Sequence, residues 1–205
     1  MFLNTLSGRF LVLTILFVML AEVFIFVPSI ARFRQDYMAN HLERAQIASL
    51  ALLADDVIEP DLEYELLKNA GVFNVVLRRD EMRQLALSSE MPAPVSDTFY
   101  LRDPPAGTLI MDALARLLNG EDEVIRVIGH PVQDAGLLIE VTMPTAPLRE
   151  AMLDYGIRIL ALSALISAVT ATLLFFSVRQ LMVKPIKGVV SAMKSYAAAP
   201  EDTRR

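Results

Sequence analysis

Ile157 to Val178 reads IRILALSALISAVTATLLFFSV, and Arg179-Gln-Leu-Met-Val-Lys184-Pro185-Ile186 follows it. No charged residue occurs from Ile159 to Val178. A helix rises about 1.5 Å per residue, so about 20 apolar residues cross a hydrocarbon layer of about 30 Å. The stretch meets that length, then runs into basic residues, a proline and an amphipathic segment. An earlier run, Phe10 to Ala31, is as long and holds one charge, Glu22. The two runs bracket residues 32–156 and account for the high mean hydropathy, +0.44, of a chain of 205 residues. Ser29-Ile30-Ala31 matches a small-x-small cleavage pattern, but the apolar core before it exceeds the roughly 7–15 residues of a secretory signal. The run is therefore read as a membrane anchor.

Basic residues orient the spans. The tail holds Arg179, Lys184, Lys187, Lys194, Arg204 and Arg205 against Glu201 and Asp202, whereas the central segment is strongly acidic. Positive charge stays on the cytoplasmic side, and long loops translocate regardless of charge, so Arg32, Arg34 and Arg158 on the outer flank do not reverse the assignment. The expected layout is 1–9 cytoplasmic, 10–31 first span, 32–156 extracytoplasmic domain, 157–178 second span and 179–205 cytoplasmic. There is no cysteine, so no disulfide holds the outer domain, and its length is enough to bury a core without one.

Helical character persists beyond Ala31 to about Val57. Met38, Leu42, Ala45, Ser49 and Leu52 recur at alternating spacings of four and three. Such a narrow seam is expected of helices packing as a parallel pair, here a homodimer. With the first span it would make one rod of about 70 Å, closed at Glu59-Pro60. A short helix follows, Leu62 to Asn69, with Gly71 as its cap. Val72 to Arg78 and Arg83 to Ser88 read as strands around a turn at Arg79 to Met82. Met91 to Pro94 and Asp103 to Gly107 are loop signals. Leu109 to Leu118 is an amphipathic helix. Glu123 to Val132 and Leu137 to Met143 are two more strands, joined around Asp134-Ala-Gly136, and Pro144 and Pro147 then break the chain before helix resumes at Leu148. The expectation is an α+β domain, a small antiparallel sheet with helices, tethered at both ends to transmembrane helices.

After the second span, Pro185 stands in the first turn of a helix, where its missing N–H costs nothing. Ile186 and Met193 are seven apart, as are Val189 and Tyr196, so they interleave as a and d positions, with Lys187, Ser191, Lys194 and Ser195 facing elsewhere. Pro200-Glu201-Asp202 ends it. The residues Pro185, Ile186, Val189, Met193 and Tyr196 resemble the first helix of a HAMP domain, the parallel four-helix signal converter of bacterial receptors. With two spans around an outer domain, the layout resembles the input half of a transmembrane sensor histidine kinase, and the element order of the outer domain is similar to PAS-like sensors of such kinases.

The resemblance implies a bacterial inner membrane location, a periplasmic sensor for a small molecule or envelope protein, a response regulator as partner, and an output module beyond Arg205 or in another polypeptide. ATP and Mg would belong to that module, not to this chain. Its phosphoacceptor would too, since the only histidines, His41 and His130, fall in the outer domain. A chemoreceptor or a cyclic-dinucleotide enzyme would use the same input half. An envelope-assembly protein would need the anchors but not the seam after the membrane.

Fewer signals point to sites. An ionised Glu22 near mid-membrane would be costly, and Ser163, Ser167 and Thr170 lie at a similar depth if the spans are antiparallel neighbours, so a helix–helix contact is expected. Arg126 and His130 share parity on a strand and Arg78 ends another; together they are candidates for binding an anionic ligand on the sheet. His130 alone is not a metal site. Asp55, Asp56, Glu59, Asp61, Glu63 and Glu65 read as a solvated helix face and turn. No phosphate-cradling loop, nucleophile motif or nucleic-acid-binding pattern occurs.

Overall fold

A computed structural model describes residues 6–53, 58–79, 84–102, 104–132 and 136–198. The chain divides into two compact units, Met1–Ile25 with Arg158–Arg205, and Phe26–Ile157. Two long helices, α1 (Leu6–Ser49) and α4 (Thr145–Val178), have residues in both units.

The unit Phe26–Ile157 is built on a five-stranded sheet in the order β2-β1-β5-β4-β3, formed by β1 (Asn74–Arg78), β2 (Gln84–Ser88), β3 (Val95–Tyr100), β4 (Val124–Gly129) and β5 (Leu138–Pro144). β1–β2, β1–β5 and β4–β5 are antiparallel, but β3 runs parallel to β4. The sheet is therefore mixed, where an antiparallel one was expected. The link explains the difference: β3 reaches β4 through the 13-residue helix α3 (Ala106–Leu118), and a helical crossover returns the chain parallel where a hairpin would reverse it. β3 had no expected counterpart. Its sequence, VSDTFY, alternates weakly because it is a mostly exposed edge strand with a register shift between Val95 and Asp97.

One face of the sheet carries the core. Val75, Leu77, Leu87, Ile125, Val127, Ile139, Val141 and Met143 are buried on it, aligned by the pairings Val75 with Val141, Val127 with Val141, and Leu77 with Ile139. Helices cover this face: Met38, Leu42, Ala45 and Ala48 from α1, Leu67 and Ala70 from α2 (Pro60–Ala70), Ala113 from α3, and Leu148 and Met152 from α4. The approach of α1 is close. A Cβ on Gly129 of β4 would lie 2.6 Å from Leu42 Cδ1.

That packing corrects the expected dimer seam. Met38, Leu42, Ala45 and Ser49 are all at most 5% exposed within a single chain. A stripe repeating at three and four serves a helix lying on a sheet as well as one paired with another helix, and here the sheet takes it. The side chain of Leu52 lies outside the described residues. α1 ends at Ser49 and tightens into a 3-10 turn, Leu50–Leu53, and the rest of the helical stretch expected up to Val57 lies outside the described residues.

Other boundaries follow the sequence closely. α2 starts at Pro60 with Asp61 and Glu63 in its first turn, where acidic groups favour the helix dipole, and ends at Gly71, whose φ of 72° is left-handed. Of the acidic stretch, Glu63 also accepts a hydrogen bond from the Ser88 backbone N–H at 2.8 Å, while Glu59, Asp61 and Glu65 are exposed and Asp55 and Asp56 lie outside the described residues. Most of the two expected hairpin turns, Arg79 to Met82 and Asp134 to Gly136, lies outside them too, since 80–83 and 133–135 are not described. Pro144 ends a strand, as expected, but Pro147 does not break the chain. Pro144 is the last residue of β5 and Pro147 sits in the first turn of α4, where helices tolerate proline.

Ser29, Ile30 and Ala31 lie inside α1, with Ile30 and Ala31 buried. The Ser29 and Tyr155 hydroxyls are 3.0 Å apart, and Phe33 stacks on Tyr155 with ring centroids at 4.2 Å. These contacts join α1 to α4 at the edge of the core.

Candidate functional site

Two helices are long and apolar enough to cross a membrane, and hardly any residue of either apolar window is buried within the chain. Leu16, Phe17, Phe24, Ile25, Leu162, Leu165 and Leu173 are more than half exposed. In this unit Ser167 donates a hydrogen bond to Glu22 Oε1. Of the three hydroxyl residues considered for Glu22, Ser163 is partly buried and Thr170 exposed.

The second apolar helix does not end where its span ends. α4 passes through a π-helical turn, Arg179–Val183, into α5 (Lys184–Ala198). The turn closes with the Lys184 N–H on the Arg179 carbonyl, a five-residue step. Pro185 sits just beyond it. A proline within a helix has no N–H to give and collides with the carbonyl four residues back. The wider π step just before it is the usual way for a helix to absorb such a defect without breaking. Pro185 thus stands in the first turn of α5, and α5 continues α4. Ile186, Val189, Met193 and Tyr196 are 59–70% exposed on α5. Pro200, Glu201 and Asp202 lie outside the described residues.

On the other face of the sheet, Arg126 Nε lies 2.9 Å from Glu140 Oε1, with no hydrogen bond aligned to that nitrogen. Asn74, Thr142 and Arg126 form a row across three strands of this face, since Thr142 pairs with both Asn74 and Arg126. Arg78 is on the same face, exposed at the far end of β1 opposite Leu138, four residues along β5 from the partner of Arg126. His130 lies past the end of β4 and lines a cleft of about 200 Å³ with Ala39, Leu42, Glu43 and Gln46 of α1. The three residues expected to act on one anion are thus not brought together. Among the described residues no group of three or more His, Asp or Glu side chains is placed to hold a metal ion.

A different cluster goes unmarked in the sequence. A cavity of about 290 Å³ on the helix-covered side is lined by Arg34 of α1, Asp112 and Arg116 of α3, Asp97 and Phe99 of β3, and Glu123 before β4. Arg34 is 3% exposed and Arg116 8%. Arg116 is well held: Nη1 donates to Glu123 at 3.2 Å, and Nη2 to the Asn119 and Glu121 carbonyls at 2.8 Å. Arg34 stacks over Phe99, 4.4 Å from its centroid, and faces Asp112 at 3.7 Å. Burial lowers its proton affinity and Asp112 opposes that, but an arginine remains charged. No pattern announces the pair. Arg34 reads as a flanking charge of the first span, and Arg116 as a basic residue near a helix end. Phe99 and Asp97 lie on the strand that was not expected.

Farther along α1, His41 is 7% exposed. Its Nδ1 is 2.9 Å from the Tyr37 carbonyl, its ring stacks on Tyr37 at 4.3 Å, and a Cβ on Gly71 would meet its Nε2 at 3.0 Å. Burial lowers its proton affinity and nearby Arg44 adds to that, against the Tyr37 carbonyl contact.

No family model, no curated protein and no solved structure matches this chain.

Proposed function

We propose that this chain is the input and transmission part of a bacterial membrane receptor of the sensor histidine kinase type. In this reading the sheet unit is a periplasmic PAS-like sensor, α1 and α4 cross the inner membrane, both termini are cytoplasmic, and α5 is the first helix of a HAMP-type converter in a homodimer. The observation that carries it is the run from β5 to α5. α4 begins at the residue after the last core strand and continues through its apolar stretch. It then enters, by a π turn, a helix whose seven-residue apolar seam is exposed. A membrane anchor needs no such seam, and an exposed a/d stripe calls for partner helices. With Met38, Leu42, Ala45 and Ser49 in the core of a single chain, dimer contacts are assigned to α5 and to the spans.

The test is a chimaera. Residues 1–198 are joined in heptad register to the remaining HAMP segment and kinase of a characterised receptor. One residue inserted after Ser191 rotates everything beyond it by about 100° and should reset the kinase output, while a seven-residue insertion restores the phase and the output. An output indifferent to insertion phase would make α5 an anchor and favour an envelope-assembly role. A chemoreceptor or cyclic-dinucleotide output would use the same input.

A further inference from the structure

Arg34 and Arg116 share one cavity but not one situation. Arg116 has protein acceptors for both terminal nitrogens, and only its Nε lacks one. Arg34 is the more deeply buried, yet its nearest carboxylate, Asp112, is 3.7 Å away, beyond hydrogen-bonding distance, and its Nε has no acceptor either. A guanidinium taken out of water is poorly compensated by an aromatic face and one distant carboxylate. Its planar fork is complementary to a carboxylate that accepts two parallel hydrogen bonds. The other charges in the lining narrow the choice. Asp112 is partly exposed, Asp97 is exposed on the edge strand, and Glu123 is already engaged by Arg116. With these three carboxylates around two cations, a bare anion would add to an excess of negative charge, whereas a molecule bearing both signs would not. The volume of about 290 Å³ lies at the small end of ligand sites, and Phe99, Ile125 and Leu148 give it an apolar wall.

We propose that this cavity binds a single free α-amino acid, its carboxylate on Arg34 and its ammonium toward Asp97 and Asp112. As the receptor's stimulus this ligand rests on the sensor reading above, but the binding itself does not. The site lies between α1, which carries Arg34, and the β3–α3 crossover, which carries the rest of the charged lining except Glu123.

The experiment is calorimetric titration of the full chain in nanodiscs with each of the twenty standard L-amino acids, with acetate and methylammonium as the two half-ligands. At least one amino acid should bind at least a hundredfold more tightly than either half. Asp97→Asn, at an exposed edge position, should weaken it at least tenfold. Ala115→Phe, which fills the cavity from an exposed helix position, should abolish it, as should Arg34→Lys. Circular dichroism identifies any variant that does not fold, and the two surface variants suffice if Arg34→Lys does not. The proposal is overturned if no amino acid binds, if acetate binds as tightly as the best amino acid, or if Asp97→Asn and Ala115→Phe leave binding unchanged. Any of these outcomes leaves the insertion-phase test of transmission untouched, so the two failures are distinguishable.

Discussion

Glu22 and His41 are polar side chains in apolar surroundings, and each has a partner that decides what a substitution does. Ser167 donates to Glu22, so Glu22→Gln retains an acceptor of nearly the same shape, while Glu22→Leu strands the hydroxyl. In membranes such bonds contribute about 0.5–2 kcal/mol. Helix association measured in bilayers should therefore be near normal for Gln and weaker by that amount for Leu. Equal loss in both would mean that the acid's proton matters. His41 gives a pH dependence. Its folded-state proton affinity is lowered by burial, so near its unfolded pKa of about 6.5 the unfolded chain binds more protons than the folded one. Its contribution is complete above that pH and is lost as pH falls below it, with a slope of at most about 1.4 kcal/mol per pH unit. Urea unfolding of the full chain in detergent at pH 7, 6 and 5 should show this loss, and His41→Gln should flatten it; an unchanged slope would remove His41 as its source. The sequence held Glu22 in plain view, because a charge inside an apolar run is conspicuous. Arg34 and Arg116 were not legible, since arginines are ordinary at a span's flank and a helix end until the fold buries them.

Elements were legible where local pattern and tertiary environment agree. Gly71 at the end of α2, with its left-handed backbone, and the β-branched apolar content of β1, β4 and β5 act locally, whereas Pro60, read as closing the helix before it, in fact starts α2. β3 failed because an edge strand has only half a reason to be apolar, and the sheet's mixed direction failed because a crossover is set by α3 as a whole. The α1 stripe was visible, but its partner was not, because period alone does not distinguish a sheet from a second helix. Its burial yields a prediction. Leu42→Ala should destabilise the sheet unit by about 2–5 kcal/mol, read by denaturation, and single cysteines at Met38, Leu42 and Ala45 should not crosslink copies of the chain. Efficient crosslinking there would restore the seam to a dimer interface. On α5 the opposite is expected. Ile186→Asp or Met193→Asp would bury an unpaired charge among packed helices and should lock or uncouple output in the chimaera, with insertion and the sheet unit intact, whereas Lys187→Asp or Lys194→Asp should do little. Equal tolerance at both sets would leave α5 as a simple anchor.

For the whole molecule the proposal is one of opposite compartments: the sheet unit on one side of a bilayer, α5 on the other, and α4 between them. Length and hydropathy make the two apolar helices readable in the sequence as long enough to cross a bilayer. Which side each end occupies rests on the basic tail. The absence of cysteine from the chain makes the decisive measurement clean. A single cysteine is placed at Pro92, before β3, or at Ser195, on the polar side of α5, and intact cells are treated with a membrane-impermeant maleimide, then permeabilised and treated again. The account predicts that the cysteine at position 92 is labelled from outside in intact cells and the one at position 195 only after permeabilisation. Labelling of both in the same step would place the sheet unit and α5 in one compartment and contradict transmission across the membrane.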